Sequence, residues 1–255
     1  MVRKIKNGIV YYTFENFNEK NIEHGFISRI GGCSKDEFAS MNLSYSMGDK
    51  RENVDENYRK LQETFNIDKY IKGSQTHSKN VVVATDDNYH IFHKTTDGFV
   101  TKEDITLFTF HADCGSVFIY DIEKNVCAML HSGWRGTVLN ITKEAINLLV
   151  EKFGSNTKDI IVGIGPSICG NCFEIDLDVA SKFEELGYNC SFDNVKDKYF
   201  IDTKEVIKKQ CIEMGVLEKN IEVSKDCTMC NKEDFYSHRR DNVNRGGHLA
   251  FIKRK

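Results

Sequence analysis

Three residues have the types and placement to do chemistry together. Cys114 lies in "FTFHADCGSVFIYD" (108–121), between two apolar runs. His131 opens "HSGWRG" at the end of a third run, and His77 lies in "GSQTHSKNVVVA", just ahead of a fourth. Two imidazoles and a thiolate suit zinc, a borderline-soft ion, and three protein ligands leave one tetrahedral position open, as in catalytic zinc sites. A nucleophilic Cys114 with His131 as its base needs only hydrogen-bond reach between them. A thiol in an apolar run is also an ordinary small core residue. The residues alone leave these three readings open.

A rival metal site is also present. "CGNC" (Cys169, Cys172) and "CTMC" (Cys227, Cys230) are two C-x₂-C pairs, the units of a four-thiolate zinc. Their separation is much longer than the roughly 15–20 residues usual between such pairs. "CGNC" also runs straight into "FEID", which reads as the entry to a strand or helix.

The elements that must position these groups alternate in period. Strands are expected at 8–14, 22–28, 80–84, 105–110, 116–120, 126–130, 159–164 and 248–253. "ITLFTF" and "VCAML" are nearly continuous apolar runs, the pattern of strands covered on both faces. A helix is expected over 53–65, with Asn53 as N-cap, Glu56 at the capping-box position and Val54, Tyr58, Leu61 and Phe65 on one face. Others are expected over 137–153, closing on Gly154; over 177–186, from Asp176 to Gly187; and over 203–214, capped by Asp202, with Glu205 near its start and Gly215 as its stop. Some connections are too short for helical crossovers, so parallel and antiparallel pairs should mix. No linker, repeat or low-complexity segment is apparent. The expected fold is α/β (α+β), a single layered domain over 1–255 with mixed sheets covered by helices.

The bulk numbers narrow the function. The 255 residues are 40% hydrophobic and 29% charged, the composition of an ordinary globule. The net charge of −3 gives no global field favouring nucleic acid or acidic lipid, and the basic end Lys253–Lys255 reads as a solvated terminus. No apolar run approaches the roughly 20 residues that cross a bilayer, and the opening lacks the features of an export signal. A cytoplasmic protein is expected, and with it thiols or metal ligands among the nine cysteines rather than disulfides.

Together the motifs resemble the YfiH family, the laccase-domain, polyphenol-oxidase-like purine nucleoside phosphorylases, almost from end to end. "HGFISRIGGCSKDEFASMNL" (24–43) is similar to the family's opening block, and "GDKRENVDENYRKL" (48–61) to its acidic helix entry. "SQTHSKNV" (74–81), "DGFVT" (97–101), "HADCGSVFIYD" (111–121) and "HSGWRGT" (131–137) resemble Q-x-H-x-x-x-V, D-G-x-V-T, T-A-D-C-x-P-V and H-A-G-W-R-G-T. "GIGPSICGNCFEID" (163–176) and "CTMC…DFYSHRRD" (227–241) resemble the later motifs.

The resemblance implies a catalytic zinc on His77, Cys114 and His131, with purine nucleoside and phosphate as partners; the charge and hydropathy above point to neither nucleic acid nor membrane. It implies phosphorolysis of adenosine, inosine and methylthioadenosine to free base and (methylthio)ribose 1-phosphate, and deamination of adenosine to inosine. It demotes the C-x₂-C pairs to thiols lining the fold or the site.

Deamination needs a carboxylate to move protons, so Glu174 and Asp113 are candidates, Asp113 reading more readily as structural support. Phosphorolysis needs cationic donors around phosphate, for which Arg29, Arg135, Arg239 and Arg240 are candidates, each equally suited to a structural ion pair. Asn42 could read a ribose hydroxyl or cap a turn, and Trp134 could stack on a purine or fill the core.

The chain departs from the family pattern in three places. His111 stands where the family has Thr, Ser116 where it has Pro, and His238 where it has Tyr. His111 and Cys114 should face opposite ways along a regular strand, so His111 joins the site only if the chain turns at Asp113.

Competing readings are a Cys114–His131 hydrolase, for example one editing peptidoglycan precursors; a copper polyphenol oxidase; and a non-enzymatic fold with structural zinc. The 8 histidines are scattered without an H-x-H pair, and the donor softness favours zinc or Cu(I), which counts against the oxidase.

Overall fold

The computed structural model describes residues 1–18 and 20–255. One six-stranded sheet has the order β1 (Val2–Lys6), β2 (Ile9–Thr13), β3 (Ile22–Ile27), β15 (His248–Arg254), β7 (Thr106–His111), β4 (Tyr70–Ile71). A second has the order β14 (Ile221–Val223), β10 (Ile160–Ile164), β8 (Gly115–Asp121), β9 (Val126–Ser132), β6 (Gly98–Thr101), β5 (Val81–Val83). Both are mixed. The pairs β4/β7, β10/β14 and β5/β6 are parallel and the rest antiparallel. A small antiparallel sheet joins β11 (Glu174–Ile175), β13 (Lys198–Phe200) and β12 (Ser191–Asp193).

Side-chain alternation along the strands builds the layers. On β8, Phe118 and Tyr120 face the other large sheet, while Val117 and Ile119 face helices. On β9, Cys127 and Met129 point inward between the sheets, and Val126, Ala128 and Leu130 point outward. The outward residues pack on α3 (Ile141–Phe153) and α5 (Thr203–Glu213) through Ile141, Ala145, Leu149 and Ile207. The other large sheet turns Phe108, Leu249 and Phe251 onto α1 (Arg51–Phe65), which presents Val54, Tyr58, Leu61 and Phe65 as expected. The result is helix, sheet, sheet, helix, with both sheets covered on both faces. This confirms the expected α/β class and explains the unbroken apolar runs.

The differences from the sequence reading are local. Helix α1 starts at Arg51 rather than 53, and Asn53 is no cap: its side chain donates to Asp49, whose other contacts tie down Ser34, Asn42 and the Lys50 N–H. The expected 137–153 helix is two, α2 (Trp134–Val138) and α3. They are broken at Asn140, which has φ +57° and caps α3 by accepting from the Lys143 N–H. Gly154 and Gly215 end their helices with φ +69° and +91°, as predicted. Asp202 caps α5 through the Lys204 N–H. Asp176 precedes α4 (Leu177–Glu184) but pairs with Lys198 instead of capping. Among the described residues no helix is long and apolar enough to cross a membrane.

Candidate active site and metal centre

Strand register brings the three donors together. In the β8/β9 hairpin Gly115 pairs with Ser132 and Ser116 with His131, so Cys114 lies beside the end of β9. On the other side of β9, Gly98 pairs with Leu130, which sets Asp97 next to His131; the His131 N–H donates to the Asp97 carbonyl at 2.7 Å. Val81 pairs with Gly98, so the loop entering β5 delivers His77 to the same end. The donor atoms of His77, Cys114 and His131 all lie within 4.8 Å of one another. His77 Nε2 is 3.6 Å from Cys114 Sγ, and the two imidazoles meet edge-on at 4.9 Å.

Asp97 is fully buried beneath this set. It accepts the N–H groups of Thr76, His77 and Ser78 at 3.1, 3.0 and 2.8 Å, and the Ser78 hydroxyl at 2.7 Å. It also meets His131 Nδ1 at 2.8 Å. His77 has φ +59°, a conformation costly for a residue with a side chain, and the N–H groups converging on Asp97 hold it there. With Nδ1 engaged, His131 turns Nε2 toward Cys114, the arrangement in which a carboxylate orients a metal-ligating histidine. Burial works against the Asp97 charge, but these donors outweigh it and hold the carboxylate far below the usual range.

Burial also opposes charge on Cys114 and His131, and their mutual attraction prevails. The Cys114 thiol is lowered to about 6 and the His131 imidazole raised to about 9. Two nitrogens and an ionised sulfur at this spacing, with the ring oriented from behind, fit a zinc-type ion with an open position.

The chain does turn at Asp113, where φ is +82°. His111 therefore comes close, 5.5 Å between its ring centroid and that of His131. Both its nitrogens are engaged, with the Thr109 hydroxyl at 2.8 Å and the Cys114 carbonyl at 3.2 Å, and burial keeps it neutral. It walls the centre without supplying a ligand.

The donors lie in a cavity of about 710 Å³ that also contacts Trp134, Arg135, Phe173, Glu174, Arg239 and Arg245. The other predicted residues divide sharply. Arg135 is exposed, stacked over Trp134 at 4.2 Å, and pairs with no carboxylate among the described residues. Arg239 spends one donor on the Glu174 carbonyl. Glu174 is at the rim, 3.1 Å from Lys196.

Asp113 lines the cavity and accepts from the hydroxyls of Thr228 and Ser237 and from the Arg239 N–H, contacts that suit it to positioning Cys114. Three further candidates are engaged within the fold. Arg29 lies outside the cavity, bonded to the Ala39 and Lys232 carbonyls and stacked on Tyr236. Arg240 is consumed by Asp241 and the carbonyls of Thr228, Met229 and Phe235. Asn42 is fully buried and pins Ser44, Asp49 and Gly247.

Sequence reasoning passed over two residues. Asp97 was visible only as the first letter of D-G-x-V-T. Arg245 carries no motif; its buried Nε has no partner among the described residues, and burial opposes its charge. Gly133 also has a specific reason to be glycine. A Cβ there would lie 2.4 Å from His77 Cδ2 and 3.1 Å from Cys114 Sγ.

The four C-x₂-C cysteines, demoted on the sequence, are brought together: their sulfurs too lie within 4.8 Å of one another. All nine cysteines are free.

Layered mixed sheets carry a His/Cys/His donor set at a strand end, open to a cavity, which makes this end of the α/β fold a candidate metal centre. The profile described as multi-copper polyphenol oxidoreductase laccase matches residues 23–255, and the chain belongs to this YfiH family. It is 34% identical over 253 residues to purine nucleoside phosphorylase YlmD of Bacillus subtilis, covering 94% of this chain and 91% of that one. It is 31% identical over 242 residues to purine nucleoside phosphorylase LACC1 of Mus musculus, covering 91% of this chain and 55% of the mouse protein. Among solved structures it superposes on YlmD from Geobacillus stearothermophilus with TM-score 0.92 at 27% identity, covering 99% and 98% of the two chains.

Proposed function

We propose that the protein is a zinc-dependent purine nucleoside phosphorylase. It takes adenosine, inosine and methylthioadenosine to the free base and the corresponding ribose 1-phosphate, and it also deaminates adenosine to inosine. The observation that carries this reading is the convergence of His77, Cys114 and His131 in a cavity that also holds Arg135, Arg239 and Arg245. The phosphorolysis is supported by the relatives of Bacillus subtilis, Mus musculus and Bacteroides thetaiotaomicron, which are named purine nucleoside phosphorylases.

Bound to the three donors, zinc supplies Lewis acidity at the cavity floor. Asp97 holds His131 and the His77 loop in place, so the donors need not reorganise during turnover. The three arginines surround phosphate with charge-assisted N–H donors, and Arg245 contributes an Nε that has no partner among the described residues. Trp134 and Phe173 offer aromatic faces for the purine. Glu174, at the rim, is the carboxylate placed to carry protons for deamination.

A second reading rests on one specific feature. Cys114, His131 and Asp97 form a thiolate–imidazole–carboxylate chain, with His131 Nδ1 at 2.8 Å from Asp97, as a cysteine hydrolase requires. His77, 3.6 Å from the same sulfur, favours the metal.

The test is to measure bound metal and to assay adenosine and inosine with and without phosphate, in wild type and Cys114→Ser. Zinc and phosphate-dependent base release should both fall in the variant. Full activity in metal-free wild type, abolished by iodoacetamide, would transfer the assignment to the hydrolase. Activity dependent on copper would transfer it to the oxidase.

A further inference from the structure

The second cysteine cluster lies outside the chemistry above. Cys169 and Cys227 are 58 positions apart, as are Cys172 and Cys230. Sequence distance is closed by a parallel bridge between Ser167 and Cys227, reinforced by the Thr228 N–H on the Ser167 carbonyl at 3.2 Å.

Each pair then sits on a tight turn. The N–H groups of Cys172 and Phe173 both reach the Cys169 carbonyl at 3.0 Å, and the Asn231 N–H reaches the Cys227 carbonyl at 3.0 Å. Two like turns side by side aim four sulfurs at one point. Cys172 and Cys230 sulfurs are 3.4 Å apart, and the Cys169 N–H donates to Cys227 Sγ at 3.3 Å.

We propose that Cys169, Cys172, Cys227 and Cys230 form a second metal centre, a closed tetrathiolate zinc site that clips the loop after β10 to the loop following β14. A zinc–sulfur bond of about 2.3 Å gives a tetrahedron with sulfurs about 3.8 Å apart. The observed spacing, from 3.4 Å to at most 4.8 Å, needs adjustments of only a fraction of an ångström to about one ångström. An iron–sulfur cluster distributes its thiolates over several irons with sulfide between them and needs a wider set. Four soft donors, with no place left for water, match a structural ion rather than a catalytic one. Binding replaces the thiol protons, which pass to solvent.

The clip acts on the first centre through Asp113. Ile168, next to Cys169, donates its N–H to the Asp113 carbonyl at 3.0 Å, and Thr228, next to Cys227, donates its hydroxyl to the Asp113 carboxylate. Asp113 immediately precedes Cys114.

The test is metal analysis of protein purified under reducing conditions. Wild type should carry two zinc ions per chain, and Cys114→Ser and the double variant Cys172→Ser/Cys230→Ser one each. Cobalt-grown Cys114→Ser protein should show the intense thiolate-to-cobalt and ligand-field bands of a four-sulfur site, a reading that survives if the double variant fails to fold. A single zinc in wild type that disappears in Cys114→Ser, with no tetrathiolate cobalt spectrum, overturns the proposal. So does a Cys172–Cys230 disulfide found by mass spectrometry in the reduced preparation.

Discussion

The two donor clusters each bring their donor atoms within 4.8 Å of one another, and their designs are opposite. His77, Cys114 and His131 mix nitrogen with sulfur, stand at strand ends, and face a cavity of about 710 Å³. The four cysteines are all sulfur and stand on turns, with the Cys169 N–H donating to Cys227 Sγ. The first set is held from behind by a buried carboxylate, while in the second a peptide N–H donates to one of the sulfurs. The contrast teaches that donor type and access, more than donor spacing, separate a centre that can work from one that can only hold.

The comparison breaks most visibly at Gly133. In Gly133→Ala the new methyl collides with the His77 ring and presses on Cys114. Displacing a ligand by even about an ångström can cost on the order of a hundredfold, so kcat/KM should fall by at least that much. Metal analysis should show loss from the His/Cys/His set and retention at the cysteine set. Equal loss from both would show that the damage is not confined to the His/Cys/His set.

Asp97→Asn is the next largest effect. It keeps the shape but replaces one acceptor oxygen with a donor amide and removes the charge that favours the His131 proton. Metal affinity at the first centre, or the activity that depends on it, should fall roughly 10- to 100-fold. Competition with a graded chelator measures the affinity, and the cysteine set should not respond.

Arg245→Ala sharpens the catalytic side. It removes the cavity arginine whose Nε has no partner among the described residues. Losing charge-assisted donors to an anion should raise KM for phosphate by about tenfold, with a smaller effect on kcat, while zinc content stays constant. A phosphate KM that does not move would take Arg245 out of the binding site.

The smallest effect is the acid background on which both centres are read. His24 and His248 are buried and accept backbone N–H groups from Phe14 and Tyr236, so both must be neutral. Burial, the main cause, lowers each to about 3 from the ordinary 6.5. The unfolded chain therefore takes up these protons first. Their contribution to stability is complete above about 6.5 and drains away as pH falls toward about 3. Calorimetry between about pH 7 and pH 5 should show Tm declining by several degrees. The slope should be shallower in His24→Gln, which retains an acceptor that does not titrate.

The sequence revealed what periodicity encodes and concealed what pairing decides. The runs that became β7, β8 and β9 were legible because both of their faces are buried, and the apolar stripe of α1 was legible for the same reason. Strand β1 was missed because its residues are exposed or half-buried and it is held by backbone bonding to β2.

Asn42 and Arg240 looked like ligand contacts because a polar group that holds the fold together and one that meets a substrate are the same letter. Their partners, Gly247 and the Phe235 carbonyl among them, are set by tertiary structure. The cysteine pairs were discounted for their separation, which a single strand-like bridge makes irrelevant. His111 was placed correctly as conditional on a turn at Asp113, because alternation along a strand is a rule whose exceptions can be named in advance.

Asp97 has a further mechanical consequence. The His77 loop hangs from it by peptide N–H groups, and the His131 ring rests against it. Two of the three donors thus share one anchor. Cys114 reaches the same place by two other ties, the β8/β9 pairing beside His131 and the hydrogen bonds on Asp113. One buried carboxylate is therefore the common fixed point of both nitrogens.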